Sequence, residues 1–272
     1  MTNNNLHVPP GHYYSPIPSL ADINVANETR NKKNLLGVDL FPQEQFKIAQ
    51  HFAELYPEVI NWLSFETTKY TLDNSWFFGS DAITLCLMVL TSKPKTIIEI
   101  GSGYSTALIE DINKRWFEEQ IDFQTVDPNI ERVKELKLNV KTLECPVQQL
   151  DLSFFSTLNS GDLLLIDSSH VLKAGSDVHF ILSQVVPSLK SGVKIHIHDV
   201  FYPFEYPSFW LEDKISFNEA YAVELLLQNS NKIRVFYWND FVENTNKDWF
   251  KSNMPQCLVS KHKTGGIWLE IL

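Results

Sequence analysis

The sequence predicts an α/β fold: a doubly wound, mostly parallel sheet with helices on both faces, preceded by an N-terminal helical and extended segment. Three observations predict it. From Thr96 onward, short apolar runs rich in β-formers alternate with amphipathic stretches of helical period, and strands that read as nearly continuous apolar runs are those buried on both faces of a parallel sheet. The first run, Thr96 to Ile100, passes through Gly101 and Gly103 straight into a helix that opens near Ser105. The runs also end in polar residues: Glu99 and Gly101, then Asp127, Asp167, His198 and Asp199. In such sheets, ligands bind outside the carboxyl ends of the strands.

Taken in order, residues 1 to about 40 are rich in Asn and Pro, with Pro9-Pro10-Gly11, Pro16 and Pro18, and proline confines the chain to extended or turn conformations. Two readings stand for this stretch. One is a disordered leader; the other, suggested by His12, Tyr13 and Tyr14 in a row, is a lid that packs over the site. Residues 43–65 carry a helical apolar period through Phe46, Ala49, Phe52 and Leu55. An aromatic loop, 74–79, then leads into a second helix over 80–90.

The expected strands are 96–100, 123–126, 140–143, 162–167, 193–198 and 233–238, with a last one within 265–272. Helices are expected over 105–119, 131–136, 176–189 and 218–228, and a helix or loop over 147–158. The organisation is thus an N-terminal segment, 1–75, and one domain, 76–272, with no internal repeat.

The 272 residues, 44% of them hydrophobic, suffice for one sizeable α/β domain with an appendage. The net charge of −10 and the lack of a basic block disfavour a nucleic-acid substrate. Cys86, Cys145 and Cys257 are far apart and odd in number, which suits buried thiols in a reducing compartment. The start, Met-Thr-Asn-Asn-Asn, has no basic residue followed by an apolar run, and the longest apolar run, Ala82 to Leu90, is too short to span a membrane. A cytoplasmic protein with no membrane contact is expected.

The strand–glycine–helix junction brings backbone N–H groups and a positive helix end close to a ligand. Glycine there lets the backbone approach without a Cβ in the way. The dinucleotide fingerprint would need a third glycine at position 106, where Thr106 stands. Glu99, just inside the strand end, would repel a pyrophosphate but not a cation. A carboxylate at the end of the second strand can accept two hydrogen bonds from a ribose diol; Asp127 occupies that place, with a cap for the turn into Pro128 as its plainer role.

Glu99-Ile-Gly-Ser-Gly-Tyr-Ser105 resembles motif I of the class I S-adenosylmethionine-dependent methyltransferases. With Ile166-Asp-Ser-Ser-His170 and His196-Ile-His-Asp-Val-Phe-Tyr-Pro-Phe-Glu-Tyr-Pro207, it resembles a branch whose members include small O-methyltransferases acting on sugars of natural products. The resemblance covers about residues 75–240. It implies seven strands in the order 3-2-1-4-5-7-6, the last antiparallel between the fifth and sixth. It implies S-adenosylmethionine as cofactor, with its methionine end at the glycine turn and its adenine after the third strand, around Cys145 to Gln148. The cofactor residues so implied are Glu99, Gly101, Ser102, Gly103, Ser105, Asp127, Gln148 and Asp167. The branch's metal ligands do not carry over, because Ser168 and Ser169 stand where acidic or glycine residues are common, so no metal-ligating residue is assigned.

Transfer of a methyl group needs in-line placement and a deprotonated acceptor. Two chemistries fit. His170, or His198 with Asp199, is the general base, with Asp167 orienting the acceptor or the base. Alternatively a divalent metal such as Mg²⁺, held by Asp167, Asp199 and a histidine, lowers the acceptor's pKa. His196 shares a strand face with His198 and reads as a satisfied core histidine. Tyr202, Tyr206, Phe209 and Trp210 in the loop after the fifth strand form either an acceptor wall or a cover for the sheet end. The expected partner is a small-molecule or sugar acceptor, and a homodimer is a further expectation. Two other functions fit the same fold: a module that holds S-adenosylmethionine or a glycan without turnover, and a nicotinamide-dependent oxidoreductase.

Overall fold

The structure is a computed structural model and describes residues 7–259 and 264–272. The first six residues, which carry the expectation about the chain's start, lie outside the described residues. The elements run α1 Leu20–Thr29, α2 Pro42–Phe65, α3 Gly79–Ser92, β1 Thr96–Ile100, α4 Tyr104–Trp116, β2 Asp122–Val126, α5 Glu131–Glu135 and β3 Lys141–Leu143. There follow β4 Leu163–Ile166, α6 Asp177–Phe180, α7 Val186–Ser188, β5 Lys194–His198, α8 Ser208–Glu212, α9 Glu219–Asn229, β6 Ile233–Trp238, α10 Asn239–Thr245, α11 Lys247–Asn253 and β7 Gly266–Ile271.

The seven strands form one sheet in the order β3-β2-β1-β4-β5-β7-β6, as the resemblance implied. All neighbours pair in parallel except β7, which runs antiparallel to both β5 and β6. β1 is central: Ile100 stands level with Val126 on one side and Ile166 on the other. The carboxyl ends of β1, β2 and β4 therefore lie abreast. The order reverses direction between β1 and β4, and a crevice opens where the chain leaves those two strands toward opposite faces.

The apolar runs end up where their composition requires. Ile97, Ile98, Leu163, Leu164, Ile195 and Ile197 are all fully buried. Helix α3 is largely apolar from Ala82 on and is buried from Ser80 to Val89, as a helix covered on both faces is. The expected strands and helices from 43 to 238 are present within a few residues of their bounds. The region 147–158 forms two 3₁₀ turns, Val147–Gln149 and Leu152–Thr157. The single helix expected over 176–189 is interrupted by a π-turn, Ile181–Val185, just before Pro187.

The N-terminal segment contains a helix where extended chain was read. Ser19 caps α1, accepting from the Asp22 N–H, while the Asp22 carboxylate accepts from the Ser19 N–H. Only Ile23 of this helix is buried, so no apolar period announces it. The segment braces the stretch after β5 and helix α9: Arg30 donates to the Tyr206 carbonyl, Ser208 to Asn27, and Lys33 pairs with Glu224 of α9 at 2.6 Å. Tyr13 and Tyr14 are exposed, at 79% and 67%. Among the described residues no helix is long and apolar enough to cross a membrane.

Gly101 adopts φ +95°, and a Cβ there would fall 1.8 Å from the Asp167 carbonyl oxygen. Gly101→Ala is therefore expected to destabilise the protein by more than the roughly 1–3 kcal/mol of a strained backbone alone. Urea unfolding of the purified variant, which should show a markedly lower midpoint or no folded baseline, checks this.

Candidate active site

A cavity of about 730 Å³ opens over the carboxyl ends of β1, β2, β4 and β5. Ser102, Gly103, Tyr104 and Asp127 line one side of it, and Asp81, Asp167, His170, His198 and Asp199 the floor. The remaining wall is aromatic, from Trp76 and Phe77 before α3 and from Phe209, Trp210 and Phe217 after β5.

The glycine turn is held from behind. The Gly103 N–H donates to Thr106 Oγ1 at 2.8 Å, and that hydroxyl donates to Glu99 Oε2 at 2.6 Å. Thr106, where a dinucleotide fold would place its third glycine, thus ties the start of α4 to β1. Burial raises the Glu99 carboxyl to about 8, offset in part by the hydroxyls of Ser105 and Thr106. Glu99 and Ser105 are buried and do not line the cavity; they support the turn from beneath. Gly101 does the same through its close approach to Asp167.

Gly103 does line the cavity, and the nearest protein atom to a Cβ there would be Arg132 Cγ at 4.0 Å, so its open side faces the space a ligand would fill. Asp127 accepts from Ser102 Oγ at 2.7 Å and from the Asn129 N–H at 2.7 Å. It is both a turn cap and a cavity acid, each oxygen keeping one acceptor position. Gln148 stands apart: its amide donates to the Gly175 carbonyl at 2.8 Å, and it lies outside the lining.

The floor is a set of buried titratable groups. His170 is 6% exposed; its Nδ1 lies 3.0 Å from Glu219 Oε2, and its Nε2 lies 3.4 Å from Asp167 Oδ1 and 3.8 Å from Asp199 Oδ2. Burial opposes the charge on His170, but Asp167 and Glu219 outweigh it and hold the imidazole well above its usual value. His198 Nε2 faces Asp199 Oδ1 at 3.7 Å. Its Nδ1 is buried without a partner, and its ring packs on Phe77 at 4.9 Å. Burial again opposes its charge, and Asp167, Asp199 and Asp81 raise it. Asp167 is driven up by burial, yet His198 and His170 draw it down to about 2. Asp199 is raised by burial against the pull of the same two histidines.

His170 and Asp199 both sit in the left-handed region, at φ +57° and +56°, a costly conformation for a non-glycine residue and one concentrated at functional sites. The Asp199 N–H is anchored on the Gly265 carbonyl.

His196 is a core histidine, but not a satisfied one. Neither ring nitrogen has a partner, and burial pushes its pKa down to about 3, so it is neutral and packs on Trp268 at 4.6 Å. The aromatic loop divides. Phe209 and Trp210 form cavity wall. Tyr206 is buried, its hydroxyl accepting from the Ala220 N–H, and Tyr202 packs on Trp238 and Phe241.

Three site residues were not singled out from the sequence. Glu219 is fully buried behind His170. Asp81, raised to about 7 by burial, accepts from Asn239 and from the Gly265 N–H. Arg132 lies over the rings of Tyr104 and Trp76, at 5.1 and 5.9 Å. Their only signals were an acid opening a helix, for Asp81 and Glu219, and a cation four residues past the Pro128 turn.

Six carboxyl-bearing residues line the cavity against Arg132 and the two raised histidines, His170 and His198. That balance suits a cationic ligand and opposes a pyrophosphate. For a divalent metal the fit fails. Asp167 and Asp199 already face histidines, and among the described residues no three His, Cys, Asp or Glu side chains are arranged to hold an ion.

No protein-family model matches the chain. An uncharacterized protein of Archaeoglobus fulgidus is 31% identical, the match covering 55% of this chain and 73% of that protein. Among solved structures, the SAH-bound Podospora anserina methyltransferase PaMTH1 is 17% identical, with 93% of this chain and 95% of that one covered at a TM-score of 0.43. The O-methyltransferase TomG from Streptomyces achromogenes is 11% identical, with 82% and 89% covered and a TM-score of 0.42. The fold assignment stands on the strand order rather than on these superpositions.

The floor also sets a dependence on pH. His170 is raised in the folded state, so its stabilisation is full below the unfolded value of about 6.5 and is lost as pH rises through the folded value. The gap in melting temperature between wild type and His170→Gln should be widest below that pH and narrow as pH rises. Thermal melts of both proteins across the range check this; a gap that widens on the alkaline side would contradict it.

Proposed function

We propose that this chain, which belongs to the family of the Archaeoglobus fulgidus protein and has the fold of the class I S-adenosylmethionine-dependent methyltransferases, transfers a methyl group from S-adenosylmethionine to a hydroxyl oxygen of a small molecule or sugar. One observation carries the reading: the glycine turn with Asp127, the ionised floor and the aromatic wall all face a single cavity. The backbone at Ser102 and Gly103 would hold the methionine end of the cofactor, and Asp127 the ribose diol. When bound, the cofactor would supply an electrophilic methyl on a sulfonium, for which an acceptor oxygen would form the new C–O bond as the C–S bond broke and its electron pair stayed on sulfur.

The residues of the chain do the rest. Asp167, held ionised by the two histidines, supplies fixed negative charge beside a cation in a site of low dielectric. Phe209, Trp210 and Phe217 offer apolar faces on which the ring or C–H face of an acceptor packs. The proton of the acceptor hydroxyl passes to the His198–Asp199 pair. His170 is not the base, because both of its ring nitrogens already face carboxylate oxygens, whereas in His198 only Nε2 has a carboxylate within 4 Å, that of Asp199.

Isothermal titration with S-adenosylmethionine and S-adenosylhomocysteine, with NADH as control, tests the cofactor. Micromolar binding of the first two is expected, weakened at least about tenfold by Asp127→Ala. Heat from NADH alone would favour an oxidoreductase instead. Once an acceptor is found, kcat/KM should rise with pH through an inflection above 6.5, the ordinary histidine value. That limb should vanish in His198→Ala, and a wild-type rate flat with pH would remove His198 as the base.

A further inference from the structure

Glu219 opens α9 and is fully buried, yet the reaction above makes no use of it. It lies beneath the one cavity histidine whose two nitrogens both face acids. Nδ1 of His170 is 3.0 Å from Glu219, and Nε2 is 3.4 Å from Asp167 and 3.8 Å from Asp199. Burial pushes the Glu219 carboxyl up and the bond to His170 draws it back down in part; as a carboxylate it only accepts hydrogen bonds, so each nitrogen facing an ionised acid is a donor, and a ring that donates at both is an imidazolium.

The helix holds the loop as well as the ring. The backbone N–H groups of Asn218 and Glu219 both donate to the His170 carbonyl, at 3.1 and 3.2 Å, and Asn218 Oδ1 accepts from the Leu172 N–H. The start of α9 thus satisfies its own orphan donors and over-determines the left-handed backbone of His170. The charged and titratable groups around the ring come from four directions: Asp167 after β4, His198 and Asp199 at the end of β5, Glu219 on α9, and Asp177 on α6, whose charge reaches Glu219. Phe217 covers the ring at 4.9 Å.

We propose that Glu219 is a positioning residue: its carboxylate keeps His170 doubly protonated and oriented, so that Nε2 donates toward Asp167 and Asp199 and holds both carboxylates in place at the cavity floor. This deepens the function proposed above and rests on it for the consequence in turnover, but the state of the ring does not.

The test is a ¹H–¹⁵N spectrum of the full chain labelled at histidine, at neutral pH, in wild type and Glu219→Gln, with the His170 signals assigned by their loss in His170→Gln. Wild type should show both ring nitrogens of His170 protonated, and Glu219→Gln should show a neutral ring with one proton. With an acceptor in hand, kcat of Glu219→Gln should fall by about tenfold or more while KM for S-adenosylmethionine changes less than about twofold. A wild-type ring with a single proton overturns the proposal, as does a Glu219→Gln ring that keeps both. Should Glu219→Gln fail to fold, Glu219→Asp, which keeps the charge but draws it back from Nδ1, takes its place: a ring that loses its second proton at lower pH than wild type supports the proposal, and one that titrates as wild type overturns it. A purely structural role would lower the melting temperature without changing the protonation of the ring. If no acceptor is methylated but the ring behaves as expected, the function proposed above fails and the role of Glu219 at His170 stands.

Discussion

The turn that leaves β1 lies against the peptide that leaves β4, so closely that a Cβ on Gly101 would fall 1.8 Å from the Asp167 carbonyl oxygen. Three hydrogen bonds fix this contact. The Gly101 N–H donates to Val126, the Asp167 N–H donates to Ile100, and Thr125 Oγ1 donates to the Gly101 carbonyl. The ends of β1, β2 and β4 are thereby one frame, and everything that projects from them is placed by it: the start of α4, Asp127 and Asp167. Only glycine permits the approach, because only glycine has both the missing Cβ and ready access to φ +95°.

On that frame the chain gathers charge that it would cost free energy to bury singly. Asp167 and Asp199 face His170 and His198, and His170 is backed in turn by Glu219. Each ion is tolerable because its neighbour carries the opposite sign and geometry keeps them within about 4 Å, where attraction in a medium of reduced dielectric is strong. The left-handed backbones of His170 and Asp199 are part of the same arrangement, held by the start of α9 and by Gly265. The floor is rigid and polar, while the wall that would meet an acceptor is aromatic and comes from segments outside the sheet, Ser75 to Phe78 and Phe209 to Phe217. The two are not independent, because Phe77 packs on the ring of His198 and Phe217 on that of His170.

The sheet was legible because each strand is a local signal: an apolar run of fixed length bounded by turn residues. The polar strand ends were legible for the same reason, and Ser102, Gly103, Asp127, Asp167, His170, His198 and Asp199 do line one cavity. What the sequence hid was direction. Glu99 stands three positions and Ser105 one position from a cavity residue, yet they lie beneath the turn, and Gln148 points to the Gly175 carbonyl. Glu219 and Asp81 reach the floor from helices far along the chain, and an acid in a first helical turn reads as nothing more than a favourable end charge. Helix α1 was hidden because it buries a single side chain, so only its Ser19–Asp22 cap distinguishes it from a proline-rich leader.

If the frame at Gly101 and Asp167 positions the site, a cofactor and an acceptor meet in one cavity. A crystal structure of the protein grown with S-adenosylhomocysteine tests it most directly. The ligand's density is expected against Ser102 and Gly103, with its ribose hydroxyls on the Asp127 carboxylate and its sulfur turned toward His198 and Asp199. Density for the ligand elsewhere on the molecule, or a cavity left without it at saturating concentration, would contradict the account.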